Sequence, residues 1–128
     1  RDVSVRFLHN DAHGRATAKN LDAMGVNLFN FSFNHSMAEM REWAGDSVTL
    51  LGNIPPRDVL ATGTPEEVRQ SVVRSLEGLE DLRRIILSCG GGAPPAAPTE
   101  NIVALCEGAD LLKFDRGGCI RDLAEESI

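Results

Sequence analysis

Apolar positions fall into four short runs, separated by stretches in which apolar residues recur at helical spacing. In residues 3–8, Val3, Val5 and Phe7 alternate with polar partners up to the break His9-Asn10-Asp11, which predicts a strand. A helix is expected over residues 15–24, stopped by Gly25 in the role of a C′ residue. Residues 26–31 are apolar almost throughout, as suits a strand buried on both faces. Ser36-Met37-Ala38-Glu39 reads as a capping box opening a helix with Met37, Met40 and Trp43 on one face, ended by Gly45.

A third strand over residues 48–51 runs into Gly52-Asn53-Ile54-Pro55-Pro56. Thr64-Pro65-Glu66-Glu67 combines Thr at N-cap, Pro at N1 and Glu at N3, and Val68, Val72, Leu76 and Leu79 continue that helix. The fourth strand, residues 84–87, precedes a loop rich in Gly and Pro, after which Thr99-Glu100-Asn101 caps a helix carrying Ile102, Val103, Leu105 and Cys106. Four alternating units indicate parallel α/β architecture. Four units close no barrel alone, so two folds are open: a doubly wound sheet, or half of a (β/α)₈ barrel. For 128 residues, pattern alone leans toward the open sheet.

Composition narrows the partners more than the fold. An apolar share of 42% and a charged share of 25% are ordinary for a globular domain. A formal charge of −6 without a Lys/Arg run argues against nucleic-acid and anionic-membrane partners, and no apolar stretch approaches a bilayer span. Cys89, Cys106 and Cys119 form no C-x-x-C pair, which points to a reducing, cytoplasmic setting. The abrupt start, Arg1-Asp2-Val3, without Met or leader, suggests a truncated chain.

Three segments then decide between the two folds. Phe7-Leu8-His9-Asn10-Asp11-Ala12-His13 ends the first strand; Leu50-Leu51-Gly52-Asn53-Ile54-Pro55-Pro56 leads to Gly63-Thr64-Pro65-Glu66-Glu67-Val68; Ile86-Leu87-Ser88-Cys89-Gly90-Gly91-Gly92-Ala93-Pro94 leads to Pro98-Thr99-Glu100-Asn101-Ile102. Taken in order, over residues 3–109, they resemble the uroporphyrinogen decarboxylase and corrinoid (methylcobalamin-dependent) methyltransferase superfamily, the middle segment most specifically. The resemblance implies that residues 1–109 form the C-terminal half of a (β/α)₈ TIM barrel, strands five to eight, with an N-terminal half missing. Residues 110–128 do not resemble the family and are set apart as a tail of unknown nature.

The resemblance also implies roles. The methyltransferases of this superfamily place His-x-Cys at the end of strand five and a Cys after strand eight, and these bind zinc, which lowers a thiol's pKa and readies a thiolate for methyl transfer. Here His9 is kept, Asp11 replaces the first Cys, and the second Cys position falls on Gly91, with Cys89 about 6–7 Å lower on the strand. An altered metal site of His9, Asp11 and Cys89 is one expectation; polar strand-end residues beside a small buried thiol is the plainer one. The decarboxylases carry a His at the position of Gly91 and match Asp11 and His13, which become candidate catalytic residues.

Candidate substrate contacts are Asn53 and His35, both following strands, and Gly90, Gly91 and Gly92, which precede a helix and could receive an anion. Each has a simpler alternative: a turn amide for Asn53, a structural imidazole for His35, a sharp turn for the glycines. Trp43 is expected to pack helix against sheet.

Three functions follow as expectations. The first is an enzyme fragment acting on a small molecule by methyl transfer, with the corrinoid supplied by a partner protein. The second is uroporphyrinogen III decarboxylation, without cofactor, in porphyrin biosynthesis. The third is an inactive half-barrel that self-associates as a homo-oligomer through its open strand edges.

Overall fold

The computed structural model describes residues 2–110. Strands β1 (Phe7–Asn10), β2 (Leu28–Phe31), β3 (Thr49–Ile54) and β4 (Ile85–Cys89) alternate with helices α1 (Arg15–Asn20), α2 (Met37–Ala44), α3 (Pro65–Ser75) and α4 (Thr99–Asp110). The separate tail read over residues 110–128 falls almost wholly outside the described residues.

Helix starts follow local chemistry. Ser36 Oγ accepts from the Glu39 N–H at 3.0 Å while Glu39 Oε2 accepts from the Ser36 N–H at 3.1 Å, so both capping-box bonds open α2. Thr64 and Glu67 do the same for α3, with bonds of 3.2 and 2.7 Å. Such a cap contributes about 1 kcal/mol. Gly25 and Gly45 adopt φ of +74° and +79° after α1 and α2, which glycine does without a Cβ penalty. The sequence did not announce the helical turn at Pro56–Ala61, where i→i+5 bonds run from Leu60 to Pro55 and from Thr62 to Arg57.

The strands lie in the order β1-β2-β3-β4, every pair parallel. Consecutive neighbours joined by helices are what a barrel requires; a doubly wound sheet shuffles the order and covers both faces. Register shows which face the helices cover. Leu8, Phe29, Leu50 and Ile85 lie side by side, and Phe31, Ile54, Leu87 and Cys89 share their parity. These side chains meet Ala18 and Leu21, Met37 and Met40, Val68, Val72 and Leu76, and Ala104, contributed by the helical layer. All four helices therefore pack on one face. This is the second-half arrangement of a (β/α)₈ barrel, four parallel units with an uncovered inner surface.

That inner surface carries the opposite parity: Phe7, His9, Leu28, Asn30, Leu51 and Ile86. Phe7 is 54% exposed and Ile86 46% exposed, with Val5 at 62% on the approach to β1. Leu50, of the opposite parity, is fully buried beneath the helices. β2 and β3 are apolar at both parities, so alternation could not tell their faces apart.

The connection after β3 is fixed from α4. Asn101, 1% exposed, donates its amide to the carbonyls of Leu60 at 2.9 Å and Gly63 at 2.8 Å. A residue expected only to help cap a helix thus ties the start of α4 to the connection between β3 and α3.

Candidate functional site

The C-terminal ends of parallel strands gather the polar groups of the inner surface. His9, on β1, sits beside Asn30 of β2 in the register. Asn30 is only 4% exposed, and its amide donates to the carbonyls of Leu51 at 2.7 Å and Cys89 at 3.3 Å. With its NH₂ engaged there, Asn30 turns Oδ1 to His9, and His9 Nδ1–H donates to it at 2.6 Å. The other ring nitrogen, Nε2, lies 3.0 Å from Asp11 Oδ2. With an acceptor at each nitrogen, the doubly protonated ring is favoured. The Asp11 carboxylate first and the Asn30 amide oxygen second hold the His9 pKa above its ordinary 6.5, against a smaller opposing effect of burial.

Asn30 was not among the residues singled out from sequence. The signal was present: one amide inside the apolar run Leu28-Phe29-Asn30-Phe31, at a parity shared with no polar partner within its own strand. A buried amide needs partners, and here they come from three other residues.

Asp11 is exposed and stands with His9, while His13 belongs to a different group. The His13 ring meets His35 edge-on at 4.8 Å, and His35 meets Trp43 edge-on at 5.2 Å, with the Arg15 guanidinium 5.9 Å from the Trp43 ring. His35 is buried; its Nε2 accepts the Gly14 N–H at 3.1 Å at the start of α1. Asn53, also buried, donates its amide to the His35 carbonyl. Asn53 and His35 thus tie the loops after β1 and β2 to the C-terminal end of β3, and both of the polar contacts described here go to protein.

The three glycines after β4 differ in what they are needed for. A Cβ on Gly90 would lie 2.7 Å from the Phe33 nitrogen, so the close approach of two loops demands glycine. Gly91 has φ of +122°, and a Cβ there would lie 3.6 Å from Asp11 Oδ1. Gly92 has nothing within 4 Å.

Cys89 corrects the expected metal set. It pairs with Ile54, has helix-facing parity and is 4% exposed among Leu60, Val68 and Ala104. His9 projects from the opposite face of the sheet. Cys89 Sγ instead donates to the Gly91 carbonyl at 3.0 Å. The set His9, Asp11 and Cys89 is therefore not assembled, and among the described residues no group of three or more His, Cys, Asp and Glu could hold a metal ion. Gly91 lies beyond the end of β4, so period-two alternation does not relate the direction of Cys89 to that position.

A cavity of about 600 Å³ lies at the opposite end of the sheet, lined by residues including Arg41, Asp46, Asp81 and Arg84. The Arg41 guanidinium there donates to the carbonyls of Gly45, Val48, Arg83 and Arg84. In barrels that end supports stability, and Arg41 does so by fastening the end of α2 to the turn before β4.

Fold and site together define a protein of the parallel (β/α)₈ class, with its polar groups at the C-terminal strand ends. The chain belongs to the uroporphyrinogen decarboxylase family: the family model described as "Uroporphyrinogen decarboxylase (URO-D)" matches residues 3–110. A uroporphyrinogen decarboxylase from Dichelobacter nodosus (strain VCS1703A) is 29% identical over 84 residues, 66% of this chain and 24% of that protein. Among solved structures, a methyltransferase from Methanosarcina mazei superimposes with a TM-score of 0.72 at 24% identity, over 84% of this chain and 31% of that one. The chain thus spans less than a third of the length of either relative. Among the described residues, no helix is long and apolar enough to cross a membrane.

Proposed function

We propose that the chain contributes the proton-holding part of an active site that moves a methyl group from a small molecule in a corrinoid-dependent system. The observation that carries this reading is the pair of acceptors on His9, Asn30 Oδ1 at 2.6 Å and Asp11 Oδ2 at 3.0 Å, which keep a proton at the catalytic end of β1. As the methyl group departs, the His9–Asp11 pair gives that proton to the heteroatom left behind, which becomes a neutral leaving group. The corrinoid, carried by a partner protein, supplies the methyl-accepting centre. No group of this chain is assigned to hold it.

Thiolate zinc chemistry does not fit these residues, because Cys89, among the described residues the one cysteine near the strand ends, faces the helices. No step is routed through zinc. The donor in this reading is a methylated molecule whose heteroatom accepts a proton, and no metal-activated thiol serves as the methyl acceptor. The free thiols of Cys89 and Cys106 are in keeping with the cytoplasmic setting that belongs to this reading.

Uroporphyrinogen III decarboxylation is the second reading, favoured by the 29% identical relative so named. There the same proton would go to the carbon that has lost CO₂. Against it stands Gly91, the position where the resemblance expects a His in decarboxylases. At φ of +122° a side chain is strained. The test is to give the full-length protein a cobalamin-loaded corrinoid protein with a panel of methylated ethers and amines, and separately uroporphyrinogen III. A substrate-dependent change in corrinoid absorbance supports methyl transfer. Release of CO₂ from the porphyrinogen, without that change, overturns it in favour of the second reading.

A further inference from the structure

We propose that Asn30 is a positioning residue that sets which nitrogen of His9 carries the proton and couples that choice to the end of β4. The inference rests on the reading of His9 as the acting group, and deepens it.

An amide can present its oxygen or its NH₂ to a neighbour, and ordinarily the two are close in energy. Asn30 has no such freedom. Its nitrogen lies among backbone carbonyls, 2.7 Å from Leu51 and 3.3 Å from Cys89, and a flipped amide would set oxygen against oxygen in a site 4% exposed. The oxygen is thereby committed to His9. Asp11 is different in kind: its side chain is 73% exposed and can turn into water. When His9 carries a single proton, one of its two acceptors loses its donor. The loss falls on Asp11, which water can satisfy, and Asn30 keeps the Nδ1–H. Neutral His9 is therefore held with hydrogen on Nδ1 and the lone pair of Nε2 turned to the open barrel end. A free imidazole side chain has no comparable lock.

The same amide reaches three strands: His9 on β1, Leu51 on β3 and Cys89 on β4, from its own place on β2. The Cys89 carbonyl opens the turn of residues 90–92, whose Gly91 faces Asp11. Movement of that turn is passed to His9 through a single side chain.

Nitrogen-15 NMR on histidine-labelled full-length protein reads the tautomer directly, without substrate. In the wild type, above the His9 pKa, the Nδ1–H form is expected. In Asn30→Leu, of similar volume but without an acceptor, the Nδ1–H signature should be lost and turnover should fall on the order of tenfold or more, mainly in kcat. Wild-type His9 found mainly as Nε2–H overturns the proposal, with no need for any variant to fold. So does an unchanged tautomer in Asn30→Leu. A tautomer that responds as expected while turnover does not move leaves Asn30's positioning intact and contradicts the role given to His9.

Discussion

Gly91, after the last strand, faces Asp11, after the first: a methyl group built on Gly91 would lie 3.6 Å from Asp11 Oδ1. In a flat sheet, strands three apart are about 14 Å from each other. The two loops meet because the sheet curves and the chain after each strand turns in over its concave face. That curvature brings a carboxylate and an imidazole from the first unit, a buried amide from the second and a glycine turn from the fourth to one place.

Substitution of the three glycines separates close approach from backbone conformation. Gly90→Ala should destabilise most, by about 2–3 kcal/mol, because the Cβ meets backbone of Phe33 and Phe31. Gly91→Ala should cost about 1–2 kcal/mol through its positive φ, and Gly92→Ala about 0.5 kcal/mol or less. Denaturant unfolding of the three variants checks the ranking; a Gly92 variant as unstable as Gly90 would show that the turn is not built as described.

Cys89→Ala should lower stability by about 1–2 kcal/mol through loss of packing between β4 and the helices, and leave metal content unchanged. Elemental analysis of the full-length wild type and variant, beside unfolding curves, is the check. Zinc present in the wild type and lost in the variant would restore the thiolate site.

Much of the fold was legible before any coordinates. Both capping boxes, the glycine stops after α1 and α2, and the alternation of four strands with four helices came from local chemistry that the structure repeats, whereas the sheet order β1-β2-β3-β4 followed from the family resemblance. What was not legible depends on the third dimension. Cys89 was grouped with His9 and Asp11 although it faces the helices, because a turn follows β4 and the strand's alternation does not carry through it. Asn30 and Asn101 look unremarkable in sequence, and their roles appear only when distant carbonyls, Cys89 for one and Leu60 for the other, come within reach.

Asn101→Leu leaves the Leu60 and Gly63 carbonyls without their buried donor, so about 1–3 kcal/mol should be lost. Hydrogen exchange should quicken first at the 56–63 connection. Uniform exchange across the chain would argue that Asn101 does not hold that loop.

The His9–Asp11 pair predicts a sign for pH dependence. The folded-state pKa of His9 is raised, so its contribution to stability is fully present below the ordinary 6.5 and disappears as pH rises through the folded value. The stability gap between wild type and Asp11→Asn should shrink over that window. Both side chains are partly exposed, so the gap is small and weakens with salt. A gap that widens with rising pH contradicts the pairing.

The uncovered inner surface should make this chain self-associate when it is separated from covering structure. Phe7→Ser with Ile86→Thr should reduce light scattering while leaving the helix-facing core intact. Leu50→Ser, under the helices, should instead unfold the chain.

The measurement that bears most directly on the proposed chemistry is the turnover of His9→Gln against wild type in full-length protein, read as substrate-dependent change in corrinoid absorbance. Loss of the proton-holding imidazole should lower kcat/KM about 100-fold or more. Equal rates for the two proteins would contradict the role of His9.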